Sequence, residues 1–285
     1  MALRFYSLFS RTDRSCAEKS EVSVTRSRIS MDEDDVFEDS TVALTPLSAV
    51  ADAFEELSAL LKARDCDYDL DLKTFCNACS LVSILFGCLG LAFKFAELEY
   101  VSKVSDLAEA SETYGTLNNI LDFDKQNDTV RTQGSLSRNL RRVRQGLDLI
   151  RALFQNFLSS DGCYLKEAAS TAYAKTCAPY HTWAVRTAVY AGMYALPTRD
   201  QLLLKLNETG PNGVSFVMLE KVEGCNCKIY DDVSIYISST TTDETAEREM
   251  VRYVNASCPV IEYIDKLYTS RNISLDWDLL IFLDK

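Results

Sequence analysis

The longest stretch without a charged residue runs from Thr74 to Phe93, TFCNACSLVSILFGCLGLAF, and covers twenty residues. A helix of about 20 apolar residues is long enough to cross a bilayer. Polar residues at Asn77, Ser80 and Ser83 make this stretch only moderately apolar, and the chain contains no second stretch of this kind. We therefore expect a helix buried at the centre of a globular protein, with a membrane span as the alternative.

Helical patterns also predominate in the remainder of the chain. Thr45 is expected to be an N-cap, with Pro46 at the first position of the helix that follows. Ten glycines and five prolines in 285 residues favour long helices over many short strands. The sequence therefore predicts an all-α fold. Further helices are predicted over 97–120, 135–159, 165–178, 180–194, 198–206 and 246–269.

Two segments depart from this helical pattern. Residues 1–40 are rich in serine and arginine and then become acidic, so we expect a disordered extension there. An organelle transit peptide fits less well, because Asp13 and Glu18 break its acid-poor signature. Residues 210–243 are rich in β-branched residues and lie between helical flanks. They predict an insertion, which is either a hairpin or disordered, within a domain of residues 41–285.

Composition narrows the class of function. The formal net charge of −12 argues against a general nucleic-acid binder, which needs a broad basic face. Cys76 and Cys79 form a C-x-x-C without a second pair, and the chain has one histidine, so neither a metal site nor a metal cofactor is expected. Ten scattered cysteines without a signal peptide are typical of a reducing, cytoplasmic compartment.

A positively charged segment is unexpected in so acidic a chain. Five arginines lie between residues 138 and 151. On a helical wheel, the apolar residues of this segment form one stripe that would face the core. A charged group falls beside the stripe and predicts a solvated face. This group comprises Arg141, Arg144, Asp148 and Arg151.

Arg138 and Arg142 fall on another side of the same helix, one turn apart, and Leu149 and Leu153 continue their line. A line of cations followed by hydrocarbon suits an amphiphile with an anionic head group. The wheel alone favours the simpler alternative, in which both arginines bridge to carboxylates at the edge of the core.

A similar arrangement, with charged residues following apolar ones on one helix face, comes directly after the uncharged stretch. Glu99 and Lys103 are spaced as an i, i+4 pair, and Ala92 and Ala96 precede Glu99 on its face of the helix. An ordinary helical salt bridge, worth a few tenths of a kcal/mol, is the alternative interpretation.

His181 is the only histidine and follows Pro179, which places it near a helix N-terminus. Two interpretations remain open for its neutral ring. It is either a structural hydrogen-bonding group or a donor to a carbonyl in a pocket.

Three segments, in this order, resemble the glycolipid transfer protein family: FGCLGLAFKFAELEYVSKV, SLSRNLRRVRQGLDLI and APYHTWAVRTAVYAGMYALPTR. The resemblance is closest to the plant accelerated-cell-death branch, which carries ceramide-1-phosphate. It covers about residues 45–206 and resumes over about 244–277. It implies an all-α, two-layer helical sandwich of about eight helices that encloses lipid chains between its layers.

The resemblance also implies roles for single residues. Lys103, Arg138 and Arg142 would bind the phosphate head group. Glu99, at a position where the family has aspartate, and His181 would bind the sphingoid amide. The apolar pocket would be lined by Ala92, Ala96, Leu149 and Leu153.

Arg142 is the residue expected to set head-group specificity. Glycolipid-carrying members that resemble this chain have tryptophan at this position, on which a sugar can stack. A guanidinium lacks that platform, but its fork of N–H donors matches phosphate oxygens.

These observations predict a soluble carrier that moves a phosphorylated sphingolipid between membranes without cofactor or covalent chemistry. A monomer is expected, with transient membrane contact through aromatic residues such as Trp277 and Tyr180. A lipid-gated sensor or adaptor that regulates cell death through protein partners is the alternative. An enzyme fits less well because the sequence lacks a G-x-S-x-G elbow, and RNA binding fits less well because Arg138 and Arg142 share their face with leucines.

Overall fold

The computed structural model describes residues 45–63, 69–159, 164–207 and 239–275. Within these ranges the regular structure is helical, apart from one isolated antiparallel bridge between Asp71 and Thr116. The predicted all-α class is therefore confirmed. The α-helices are α1 Pro46–Ala63, α2 Leu72–Cys88, α3 Lys94–Ala110, α4 Leu117–Gln126, α5 Leu136–Leu158, α6 Leu165–Thr176, α7 Trp183–Gly192, α8 Arg199–Asn207 and α9 Ser239–Ser270.

Residues 74–88 of the uncharged stretch lie in α2. Its apolar face is buried as expected, but Asn77 and Ser80 are exposed, so the helix is not buried on all sides. Its N-terminus is capped by Asp71, whose Oδ1 accepts a hydrogen bond from the Thr74 backbone N–H at 2.7 Å. Gly90, with a φ of +73°, then directs the chain into the 3₁₀ turn Leu91–Phe93 that precedes α3. Among the described residues, no helix is both long and apolar enough to span a bilayer.

The core is enclosed by a closed circuit of helix contacts, α1 to α2 to α3 to α5 to α9 and back to α1, while α6 packs on the side of α5. The largest side chains in this core are fully buried. They include Phe54, Phe75, Phe86, Phe154, Phe157, Tyr253 and Tyr268.

Local signals placed some helix ends correctly and others wrongly. Thr45 caps α1 as predicted, with its Oγ1 accepting from the Ser48 N–H at 3.0 Å. The single helix predicted over 97–120 is wrong, because it is divided into α3 and α4. The Leu72 N–H donates to the Gly115 carbonyl at 2.9 Å, so this stretch pairs with the start of α2 instead of continuing the helix.

The predicted insertion over 210–243 is partly corrected. Its last residues, 239–243, belong to the first turns of α9. Its other residues and the predicted disordered extension over 1–40 lie outside the described residues.

The predicted solvated face of α5 is wrong. Arg141 is only 3% exposed and Asp148 only 9%. Arg144 Nε donates to Asp265 Oδ1 on α9 at 2.8 Å, and Arg144 Nη1 donates to Asp148 Oδ2 at 2.7 Å. Helix α9 covers this face, so its three arginines are held by groups within the protein.

Helices α3 and α5 approach each other closely at Gly146. A Cβ placed on Gly146 would lie 2.5 Å from Cδ2 of Tyr100 on α3. The Tyr100 ring is not free to move away, because it is buried and its hydroxyl donates to the Cys79 carbonyl on α2 at 2.9 Å. Glycine at residue 146 therefore sets the distance between α3 and α5.

We expect Gly146→Ala to destabilise the fold, although alanine is the better helix former. Overpacking of this kind costs about 1–3 kcal/mol. Urea unfolding followed by circular dichroism measures the change. Gly115→Ala is the matched control, since its Cβ would meet nothing closer than Asn119 Nδ2 at 3.9 Å. An unchanged or raised stability for Gly146→Ala would contradict the packing argument.

Candidate functional site

A carboxylate joins Lys103 on α3 to the start of α5. Lys103 Nζ lies 3.8 Å from Asp106 Oδ2, and the same oxygen accepts a hydrogen bond from Asn139 Nδ2 at 3.1 Å. Because Asn139 follows Arg138 directly, the Lys103 ammonium lies beside the first turn of α5. The spacing of Glu99 and Lys103 predicted an ion pair between them, but Lys103 pairs with Asp106 and Glu99 is exposed.

Two predicted arginines lie on the first two turns of α5. Ser135 caps this helix, with its Oγ accepting from the Arg138 N–H at 3.3 Å. Arg138 and Arg142 are both half-buried, and Arg142 Nη1 donates to Gln145 Oε1 at 3.3 Å. Both guanidinium groups are therefore held at the edge of the core instead of extending fully into solvent.

His181 is oriented by a buried tyrosine that sequence reasoning missed. Its Nδ1 lies 2.8 Å from the hydroxyl oxygen of Tyr173 on α6. Burial raises the pKa of Tyr173 to about 12, so its hydroxyl stays protonated and can donate to Nδ1. A neutral imidazole then carries its proton on Nε2, which is the nitrogen able to donate to a ligand carbonyl.

The turn that carries His181 lies against the same part of α5. Arg141 Nη2 lies 3.4 Å from the Tyr180 hydroxyl, and the Arg141 guanidinium is 5.4 Å from the centroid of the Tyr180 ring. Burial raises the pKa of the Cys177 thiol to about 11, against the opposing influence of the nearby Arg142 and Arg141 charges. The structure thus brings the Arg142 region and the His181 turn together on one side of the molecule.

The predicted pocket residues lie in or against the packed core. Leu149 and Leu153 are buried in it, and Ala96 is half-buried against it. Ala92 belongs to the 3₁₀ turn before α3, and its side chain lies outside the described set. A surface cleft of about 440 Å³ lies beside α7, but its lining includes Pro179, Trp183 and Tyr190 and none of the predicted pocket residues.

An exposed apolar surface lies near these groups. Leu91 is 79% exposed and Phe95 is 86% exposed, while Trp183 on α7 and Tyr194 after it are 74% and 77% exposed. The 3₁₀ turn Leu91–Phe93 contacts both α7 and the 3₁₀ turn Met193–Ala195, so the four side chains belong to adjoining elements. We call Leu91, Phe95, Trp183 and Tyr194 the apolar surface.

Two aromatic residues were suggested from sequence for membrane contact, and the structure describes one of them. Tyr180 is half-buried against Arg141. Trp277 lies outside the described residues.

Comparison with protein families matches residues 70–208 to the glycolipid transfer protein (GLTP) family. An Arabidopsis thaliana protein named "ACD11 homolog protein" is 53% identical over 255 residues, which are 86% of this chain and 97% of the relative. The Arabidopsis thaliana protein "Accelerated cell death 11" is 40% identical over 234 residues, covering 81% of this chain and 96% of the relative.

The fold is also similar to solved structures. A mutant of Arabidopsis ACD11 complexed with C12 ceramide-1-phosphate superimposes with a TM-score of 0.66 at 40% sequence identity. The match covers 82% of this chain and all of the solved chain. This neighbour has the same all-α architecture and was crystallised with a phosphorylated sphingolipid.

Proposed function

Since the chain belongs to the glycolipid transfer protein family, we propose that it binds a ceramide-1-phosphate-type lipid and carries it between membranes. The observation that carries the proposal is the link of Lys103, through Asp106 and Asn139, to the turn of α5 that bears Arg138. The lipid is moved without a change in its covalent bonds, so the protein is a carrier and not an enzyme.

Lys103, Arg138 and Arg142 bind the phosphate in this proposal. A phosphate monoester carries about −1.5 to −2 charges near neutral pH, and three cations balance that charge. Each guanidinium presents parallel N–H donors to two phosphate oxygens. Asp106 and Gln145 support the site because they hold Lys103 and Arg142 in place before the lipid arrives.

Glu99 and His181 bind the sphingoid amide. An exposed carboxylate on Glu99 accepts hydrogen bonds from the amide N–H and a neighbouring hydroxyl, and His181 Nε2–H donates to the amide carbonyl. With the Tyr173 hydroxyl donating to Nδ1, 2.8 Å away, the neutral imidazole would carry its proton on Nε2, as this role requires.

The lipid chains enter between α3 and α5, along the line of Ala92, Ala96, Leu149 and Leu153. Leu149 and Leu153 are packed in the core, so entry requires local displacement of side chains. The chains leave a bilayer in which their methylenes are already out of water, so an apolar pocket avoids the cost of about 0.8 kcal/mol per methylene that exposure to water would impose during transfer. The head-group contacts then decide which lipid is retained.

A binding experiment tests this function. The full chain is incubated with vesicles that contain equal amounts of ceramide-1-phosphate and galactosylceramide, recovered, and extracted for lipid analysis. At least tenfold enrichment of ceramide-1-phosphate is expected. Equal recovery of the two lipids, or recovery of neither, would overturn the proposed specificity.

The apolar surface docks on the membrane while lipid is exchanged. Apolar and aromatic side chains beside a binding site insert into the interfacial region of a bilayer. We expect Phe95→Ser to slow ceramide-1-phosphate transfer about tenfold, because one buried aromatic side chain is worth about 1.5–3 kcal/mol. Transfer between vesicles and co-sedimentation with vesicles measure the effect.

Leu204→Ser is the matched control for Phe95→Ser. Leu204 is also exposed, but it lies on α8, which packs against α1, α2 and α9. Equal slowing by both substitutions would show that the apolar surface has no special part in docking.

A further inference from the structure

Arg141 is a buried cation that the proposed head-group site does not use. It lies between Arg138 and Arg142 in sequence, and its side chain is 3% exposed. Its Nη2 donates to the Leu275 carbonyl at 3.0 Å and lies 3.4 Å from the Tyr180 hydroxyl. One side chain on α5 therefore holds both the turn before His181 and the segment that follows α9.

The charge of Arg141 is only partly compensated. Its Nη1 is 3.8 Å from Asp265 Oδ1, which is beyond hydrogen-bond distance. Asp265 is already engaged by Arg144, whose Nε donates to the same oxygen at 2.8 Å. Within the described part of the chain, Nε and Nη1 of Arg141 are buried without a hydrogen-bond partner.

Such an arrangement is unfavourable for stability alone. A buried guanidinium loses its hydration and normally regains that free energy through hydrogen bonds to a carboxylate. In a site of low polarity, the field of an uncompensated cation extends to neighbouring groups with little screening. The predicted ligand group on this part of α5 is the phosphate, because the charges of Arg141 and Arg142 both act on the buried Cys177 thiol and both side chains therefore lie close to it.

We propose that Arg141 is a positioning residue for the phosphate-bearing lipid. Through Tyr180 and the Leu275 carbonyl it holds the turn before His181 and the segment after α9 at α5. Its partly compensated charge stabilises the bound phosphate without touching it. This inference rests on the proposed function. It adds a fourth cation to the three that are proposed to select the phosphate head group.

Two substitutions separate the charge from the hydrogen bond. Arg141→Gln removes the charge and keeps an N–H donor for the Leu275 carbonyl, whereas Arg141→Lys keeps the charge and loses the fork. The affinities for ceramide-1-phosphate and for ceramide are measured on each variant with fluorescent lipids in phosphatidylcholine vesicles. Ceramide has the same amide and chains without the phosphate, so the ratio of the two affinities isolates the head group.

Arg141→Gln is expected to lower this ratio at least tenfold. Ceramide affinity should change less than twofold, because the retained N–H donor to the Leu275 carbonyl keeps the amide site in place. Arg141→Lys is expected to keep the ratio within about threefold of the unsubstituted protein. Arg131→Gln, at an exposed arginine, is the control and should leave the ratio unchanged. A ratio within twofold of normal in Arg141→Gln, or an equal loss of both lipids, overturns the inference.

A measurement on the unsubstituted protein keeps the test decisive if the glutamine variant does not fold. The buried Nε–H of Arg141 gives a ¹⁵N NMR signal that is assigned by its absence in Arg141→Lys. This signal should shift on addition of ceramide-1-phosphate and not of ceramide. If the protein binds ceramide-1-phosphate and the signal does not shift, the inference about Arg141 is overturned but the proposed function stands. If the protein shows no preference for ceramide-1-phosphate, the proposed function itself is overturned.

Discussion

Replacing Arg142 by leucine is expected to reduce transfer of ceramide-1-phosphate at least tenfold and to leave the fold intact. Arg142 is half-buried at the edge of the core, and leucine can occupy the space of its aliphatic part. In the proposed function the guanidinium contributes charge-assisted hydrogen bonds to the phosphate, each worth about 1.5–3 kcal/mol. Loss of one or two such bonds corresponds to a loss of tenfold or more in affinity.

Transfer of fluorescent ceramide-1-phosphate between vesicles measures this effect, with galactosylceramide run in parallel. The selective loss should raise the galactosylceramide share of the transferred lipid. Arg131→Leu removes the same charge from an exposed position and serves as the control. If Arg142→Leu transferred ceramide-1-phosphate at the normal rate, the assignment of the phosphate to this side of α5 would be wrong.

Asp148→Asn is expected to give the largest loss of stability, about 2–3 kcal/mol. Asp148 accepts from Arg144 Nη1 at 2.7 Å and from Arg151 Nη2 at 2.7 Å. Removal of one partner from a largely buried pair costs about 3–5 kcal/mol, and partial exposure reduces that figure here. Urea unfolding measures the change, with Glu109→Gln at an exposed position of α3 as the control.

The interactions of Asp148 with Arg144 and Arg151 also make the free energy of unfolding depend on pH. Burial alone would raise the pKa of Asp148, but the Arg144 and Arg151 charges outweigh burial and hold it below its ordinary value. The contribution of Asp148 is therefore complete above the ordinary carboxyl pKa of about 4 and is lost as the pH falls further. Asp148→Asn should flatten this acid limb of the stability curve, and an unchanged limb would contradict the role of the pair.

The elements that sequence predicted well depend on local pattern. The uncharged run over 74–93 indicated a helix packed on the core, and residues 74–88 lie in α2, whereas the end of the run forms the 3₁₀ turn Leu91–Phe93. The cap at Thr45 depends on residues within one turn, so it was visible without the fold. The line of residues through Arg138 lies within the single helix α5 and follows directly from the helical period, whereas the line through Glu99 is interrupted because Ala92 lies in the turn before α3.

The elements that sequence missed depend on distant partners. The face of α5 with Arg144 and Asp148 was predicted to be solvated because Asp265, its partner on α9, lies more than a hundred residues later in the chain. The break between α3 and α4 follows from pairing with the start of α2, at Leu72. Tyr173 has no sequence signal that marks it as the partner of His181, since its role depends on how the turn after α6 folds back.

The central claim is that the protein moves a phosphorylated sphingolipid between membranes, and the rate of intervesicle transfer tests it most directly. The full chain is added to donor vesicles with ceramide-1-phosphate or galactosylceramide and to lipid-free acceptor vesicles. The account predicts that ceramide-1-phosphate moves at least tenfold faster than galactosylceramide, at a rate proportional to protein concentration. Tight binding of ceramide-1-phosphate with transfer no faster than the spontaneous rate would contradict the carrier function and favour a lipid-gated sensor.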